Sequence, residues 1–301
     1  MRRFKSLVLI LILILCFSIS VHAEKINLIT DKYWLEIIER ESSQNPLLLL
    51  RKSVLDMIPF LNNSNIFAGK KKIKTYVVDV QGNQDDYSQI SEAAASIPKG
   101  VIILSPLLSG EACRLAGDYP EKKIIVFSRP TDESCGELNF NKIYMDYESS
   151  YHDAGSWAAS QDVNVYPLFF TGTEGSASLF EAFLGGWKEM TDKDAPEILE
   201  LQKPGDTHII DSFVDLIDND PGCIAAVFAG PLTGTALDRL DGNSAGILGE
   251  HLLLWPDARY SVSASIELSP LKMLTEAVTY VSAESYGKDS SIKAEFILPL
   301  N

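Results

Sequence analysis

Cysteine and histidine are scarce, with four of each among 301 residues. Cys16 falls in an apolar N-terminal run, which leaves Cys113, Cys135 and Cys223. Three thiols are too few for a disulfide framework, and no Cys-x-x-Cys spacing occurs. An oxidising compartment allows a single bridge, and closeness in sequence makes Cys113–Cys135 the expected pair. His152, His208 and His251 are scattered with no pair at metal-ligand spacing, so no metal site is expected. Catalytic signatures are missing too: no Gly-x-Ser-x-Gly elbow, no His-Glu-x-x-His, no phosphate loop and no complete Gly-x-Gly-x-x-Gly. The glycine-rich stretch 171–176 (TGTEGS) lacks the spacing and the lysine of a phosphate loop. With no convergent catalytic set, the chain is expected to be neither an enzyme nor a cofactor carrier.

Positive charge is in deficit: 26 Lys and Arg stand against 41 Asp and Glu, for a net charge of −15. Such a surface repels phosphate backbones and anionic lipids, which argues against a nucleic-acid partner. One short basic run, Lys70, Lys71, Lys72 and Lys74, sits just before a strand and reads as a solvated loop. Beyond the N-terminus no run is long and apolar enough to cross a bilayer, which takes ~20 residues.

The sequence opens with Arg2, Arg3 and Lys5, then an apolar run over 7–19, then Val21, His22 and Ala23. This is the layout of a secretory signal cut before Glu24, and it predicts export to a periplasm. Lipidation of Cys16 is not expected, because Leu15 is bulky where a small residue belongs.

From residue 24 onward, short apolar runs alternate with longer amphipathic ones. Strands are expected at 26–30, 74–80, 101–105 and 123–128, with helices at 32–61, 86–97 and 109–118. The alternation then repeats: strands at 142–145, 166–171, 197–201, 223–229, 245–249, 261–266 and 294–298, and helices at 148–160, 177–190, 208–218, 233–240 and 270–283. Nearly continuous apolar strands are those covered on both faces. The βαβα order implies α/β architecture: two doubly wound parallel-sheet lobes. The run 47–50 (LLLL) reads as core, because four exposed leucines on a monomer invite aggregation.

Several strings resemble the type I periplasmic binding proteins, the family of ribose- and galactose-type sugar receptors and of the ligand-binding core of LacI-type repressors. INLITDKYW is similar to the first strand and its aromatic pair. YVVDVQGNQDDYSQI, VIILSP and IIVFSR are similar to strands two to four with their turns. YMDYESSYHDAGSWAA, SLFEAFLGGWKEM, CIAAVFAGPLTGTALDRL, ILGEH and SASIELSPLKMLTEAV are similar to second-lobe segments and the return crossover. The resemblance spans nearly all of 24–301. It implies an N-terminal lobe of 24–145 plus 268–290, a C-terminal lobe of 146–267 plus 291–301, and a multi-strand hinge. The function it implies is capture of a small polar ligand, a sugar or polyol favoured, for ABC-type uptake by a membrane permease. A ligand-sensing subunit for a membrane kinase or chemoreceptor, or a ligand-free interaction protein on the same fold, are the alternatives. A monomer is expected.

Open parallel sheets bind ligands at the carboxyl ends of their strands. That rule and the resemblance nominate Tyr33, Trp34, Asn83, Arg129, Asp146, Thr173, Glu174, Glu250 and Glu267. Tyr33 and Trp34 offer flat faces for a sugar ring. Arg129 is a fork of donors suited to adjacent hydroxyls or a carboxylate. The acids accept hydrogen bonds from vicinal hydroxyls or balance an amine. The family's Asn-Asp pair after its "avfa" strand is replaced by Gly230, Pro231 and Leu232, and the second-lobe arginine position aligns near Phe180 and Glu181. Either the ligand is not a plain pentose or hexose, or the site is degenerate.

Overall fold

A computed structural model of the chain describes residues 25–44, 65–68, 71–80, 85–129, 135–173, 175–255, 261–282 and 290–298. The expected leader at 1–23, the leucine run at 47–50, and the candidates Asn83 and Glu174 lie outside these residues.

Thirteen strands are described: β1 (Ile26–Thr30), β2 (Asn65–Ala68), β3 (Lys71–Val77), β4 (Val101–Leu104), β5 (Lys123–Ser128), β6 (Phe140–Asp146), β7 (Val165–Phe170), β8 (Leu199–Leu201), β9 (Ile224–Phe228), β10 (Gly246–Glu250), β11 (Ser261–Glu267), β12 (Ser290–Lys293) and β13 (Glu295–Ile297). They form two sheets, ordered β12-β6-β5-β4-β1-β3-β2 and β13-β11-β10-β9-β7-β8. Every pairing is parallel except at two edges, where β2 runs antiparallel to β3 and β13 antiparallel to β11. The central strands β1, β4 and β9 are buried at every position, as expected where helices cover both faces of a sheet.

The first sheet is flanked by α1 (Lys32–Gln44), α2 (Asp85–Ala95) and α3 (Ala112–Asp118), and the second by α4 (Glu148–Ser160), α5 (Ser176–Met190), α6 (Thr207–Asp218) and α7 (Thr233–Arg239). The chain then returns to the first lobe as α8 (Pro270–Ser282), which packs against α1 and β2. The small-residue face of α4 has a clear purpose. A Cβ on Gly155 would fall 1.9 Å from the Phe183 carbonyl oxygen, and one on Gly186 would fall 1.9 Å from that of His152. Only glycine on both helices lets the α4 and α5 backbones come this close.

Two edge strands, β2 and β12, were not expected from the sequence. β2 also corrects the reading of the lysine run as loop. β1 pairs with β3 only from Ile73 onward, but Lys71 and Lys72 pair with Ala68 and Phe67 of β2. The strand therefore extends past its parallel neighbour to serve the hairpin, at an edge where charge is well tolerated.

The chain passes between the sheets three times: between Asp146 and Glu148, between Glu267 and Pro270, and at Ala294 between β12 and β13. The last passage lies a few residues beyond the division expected at 290. The Ala294 N–H donates to the Asp146 carbonyl at 2.8 Å, and Ser150 Oγ donates to the Ala294 carbonyl at 2.9 Å. The first and third passages are thereby tied to each other.

Candidate functional site

The carboxyl ends of both sheets face one cleft. At the end of β1, Asp31 caps α1: Oδ1 accepts from the Trp34 N–H at 2.9 Å, and Oδ2 accepts from Ser105 Oγ at 2.8 Å. Asp31 is fully buried, and burial raises its carboxyl above the usual range against the pull of these hydrogen bonds. Asp31 thus serves the helix start rather than the cleft. The cap delivers Tyr33 and Trp34 to the cleft wall. Trp34 stacks on Phe127, with ring centroids 6.4 Å apart and an interplanar angle of 24°. The Tyr33 hydroxyl is buried beside Thr233 of the second lobe without a well-formed hydrogen bond. Burial and then the Glu250 charge push its pKa far up, so it stays protonated as a donor.

Arg129 follows β5 and crosses the cleft. Its Nη1 donates to Thr173 Oγ1 at 3.1 Å, and its Nη2 lies 3.9 Å from Glu250 Oε1. Glu250 ends β10 and is buried; its Oε1 accepts from the Tyr151 hydroxyl at 2.5 Å. This carboxylate is therefore held by a short bond from its own lobe and by a loose ion pair from the other. A buried acid is tolerable only with such partners. The guanidinium has five donors and spends one on Thr173, so its fork retains donors for a ligand.

His251, next in sequence, is the one non-glycine residue with left-handed backbone among the described residues, at φ 56° and ψ 22°. Its buried ring bridges two interlobe passages. Nε2 is 3.4 Å from the Tyr147 hydroxyl at the first, and Nδ1 is 3.7 Å from Glu267 Oε2 at the second. Burial alone would lower its pKa; the Glu267 carboxylate, with Glu250 and Glu41 beyond it, outweighs burial and raises it.

Five of the nominated residues, Tyr33, Trp34, Arg129, Thr173 and Glu250, line a single cavity. Two others stand outside its wall. Asp146 lies at the first passage, where its carbonyl takes the Ala294 N–H. Glu267 accepts from Ser265 Oγ at 2.5 Å and from the Leu253 N–H at 3.1 Å, and so backs His251 rather than the cavity. The wall also contains Tyr147, Tyr151, Phe169, Phe228 and His251, which sequence reasoning did not single out. Phe169 and Phe228 lie inside apolar runs, where no mark separates wall from core. Tyr151, Phe169 and Phe228 form a mutual cluster with centroids 4.7–5.8 Å apart.

The lobes are closed on one another. The Gln44 side chain donates to the Leu253 carbonyl at 3.1 Å, and the Arg40 guanidinium sits 4.7 Å over the Trp255 ring. The cavity left between them measures about 50 Å³, far below the ~300–1,000 Å³ of small-molecule pockets. Among the described residues no group of three or more His, Cys, Asp or Glu side chains could hold a metal ion, and no helix is long and apolar enough to cross a membrane. Cys113 of α3 and Cys135 are joined by a disulfide.

No protein-family model matches the sequence, and no curated protein does. Solved structures do. An ABC transporter system solute-binding protein from Aeropyrum pernix matches with a TM-score of 0.60 at 12% identity, over 90% of this chain and 76% of that one. A Caulobacter myo-inositol binding protein, bound to myo-inositol, matches with a TM-score of 0.58 at 14% identity, over 92% and 94%. An ABC transporter system solute-binding protein from Conexibacter woesei matches with a TM-score of 0.57 at 12% identity, over 93% and 89%. At these identities the likeness is one of fold: the chain has the α/β, two-lobed fold of the type I periplasmic binding proteins.

Proposed function

We propose that this chain is an exported solute-binding protein that closes its two lobes on a small polar ligand, a sugar or polyol, and presents it to an ABC-type membrane permease. The observation that carries the reading is the reach of Arg129 across the cleft to Thr173 and Glu250. A donor fork from one lobe and a carboxylate from the other meet over flat aromatic faces, which suits a ring with adjacent hydroxyls. One hydroxyl accepts from Arg129 while its neighbour donates to Glu250. The ring's apolar face stacks on Trp34 or Tyr147. A ligand touching both lobes stabilises the closed form over the open one, and that difference is what a permease reads. The fold neighbours support the reading, since two are named as ABC solute-binding proteins and a third holds a polyol.

The small, side-chain-filled cavity favours a second reading: a binding fold that presents a closed surface to a membrane partner without a ligand. A thermal-shift panel of sugars and polyols at about 1 mM separates the two. A ligand with Kd near 1 μM adds about 4 kcal/mol, a rise of several degrees for a chain of this size. A flat panel on well-folded protein leaves the second reading standing.

A further inference from the structure

The cleft wall divides by chemistry. One stretch of it is polar, a seam where Arg129, Thr173, Glu250 and Tyr151 are joined. Ser176 does not extend that seam, because its hydroxyl is spent on the Thr171 and Thr173 carbonyls. A second stretch of wall is apolar: Phe170, Gly230 and Pro231 from the second lobe, Ile37, Pro106 and Leu107 from the first. Ile37, Leu107 and Phe170 belong to one apolar cluster, and a Cβ on Gly230 would fall 3.1 Å from the Phe170 ring. Pro231 has no N–H to offer. Two wall hydroxyls border it: Ser109, two residues beyond Leu107, and Tyr33, one helical turn before Ile37. A ligand hydroxyl pressed against Phe170 and Pro231 loses water and gains no partner from these two side chains, which costs about ten-fold or more in affinity.

We propose that the ligand carries its hydroxyls along one edge and a methyl or methylene along another: a deoxy sugar, with a vicinal diol spanning Arg129 and Glu250 and its deoxy carbon against Phe170 and Pro231. This rests on the sugar-or-polyol reading above and narrows it. The replacement of a family Asn-Asp pair by Gly230, Pro231 and Leu232 is then a change of specificity rather than a loss of site. A hydrogen-bonding corner has become an apolar one.

The test is titration calorimetry with matched pairs: D-fucose against D-galactose, L-rhamnose against L-mannose, and deoxyribose against ribose. At least one deoxy member is expected to bind about ten-fold or more tightly than its parent. Pro231→Asn, which returns a polar side chain to the apolar stretch, should narrow that gap. Parent sugars that bind as tightly as their deoxy partners in every pair that binds overturn this inference and leave the solute-binding reading intact. An undiminished gap in Pro231→Asn overturns the placement of the deoxy carbon. Silence from every pair, with folded protein, sinks both this inference and the sugar reading.

Discussion

Arg129 of the first lobe and Thr173 of the second are joined by a 3.1 Å hydrogen bond across the cleft. Because the same guanidinium also faces the buried Glu250 at 3.9 Å, one side chain holds the closed form together and offers donors to what lies inside.

Arg129→Ala should therefore act on stability and on binding at once. It removes the hydrogen bond to Thr173 and the ion pair to Glu250, leaving the buried carboxylate with Tyr151 as its partner; depriving a buried polar group of a partner costs ~1–3 kcal/mol, and more when the group is charged. Urea unfolding of the ligand-free protein should show that loss, and the ligand-induced thermal shift should disappear. Thr173→Val, which removes only the neutral partner, should cost ~1 kcal/mol. Equal losses in the two variants would argue against the Glu250 pairing.

The pH dependence of stability should carry the signature of His251. Its folded-state pKa lies above the ordinary value of 6.5. Protonated His251 thus contributes stability that is complete below that ordinary value and lost as pH rises through the raised one. Melting temperature should decline across this window, and Glu267→Gln should flatten the decline by removing the carboxylate 3.7 Å from Nδ1. His251→Asn should flatten it too, with a side chain that accepts left-handed backbone. An unchanged slope in both variants would assign the titration elsewhere.

Reducing the Cys113–Cys135 bridge should lower stability by ~3 kcal/mol, the chain-entropy value for a span of 22 residues. Paired Ser substitutions followed by chemical denaturation would measure the effect.

Gly155→Ala and Gly186→Ala should each destabilise the second lobe by ~3 kcal/mol or more, because the added carbon meets backbone rather than a movable side chain. Gly234→Ala is the control: space around it is open, and stability should hold or rise. Chemical denaturation of the three variants decides the matter.

Much of the architecture was legible because buried parallel strands write themselves as unbroken apolar runs, as in INLIT, VIIL and IAAVF. The strands that escaped notice, NIFA and SSIK, are four-residue edges whose existence depends on pairing with β3 and β6. Arg129, Thr173 and Glu250 were findable because a polar residue just past an apolar strand marks the functional end of a parallel sheet. His251 was not. Its left-handed backbone and its place between Tyr147 and Glu267 come from how three distant segments converge, and no local pattern encodes that. Asp146 and Glu267 follow the same strand-end rule as Glu250, but their strands end at the passages between lobes.

The bond from Ala294 to Asp146 and the bond from Ser150 to Ala294 turn two connecting strands into a laced ribbon. A ribbon bends readily across its flat and resists twisting and sliding in its plane. The first and third passages therefore act as one band rather than as two independent threads.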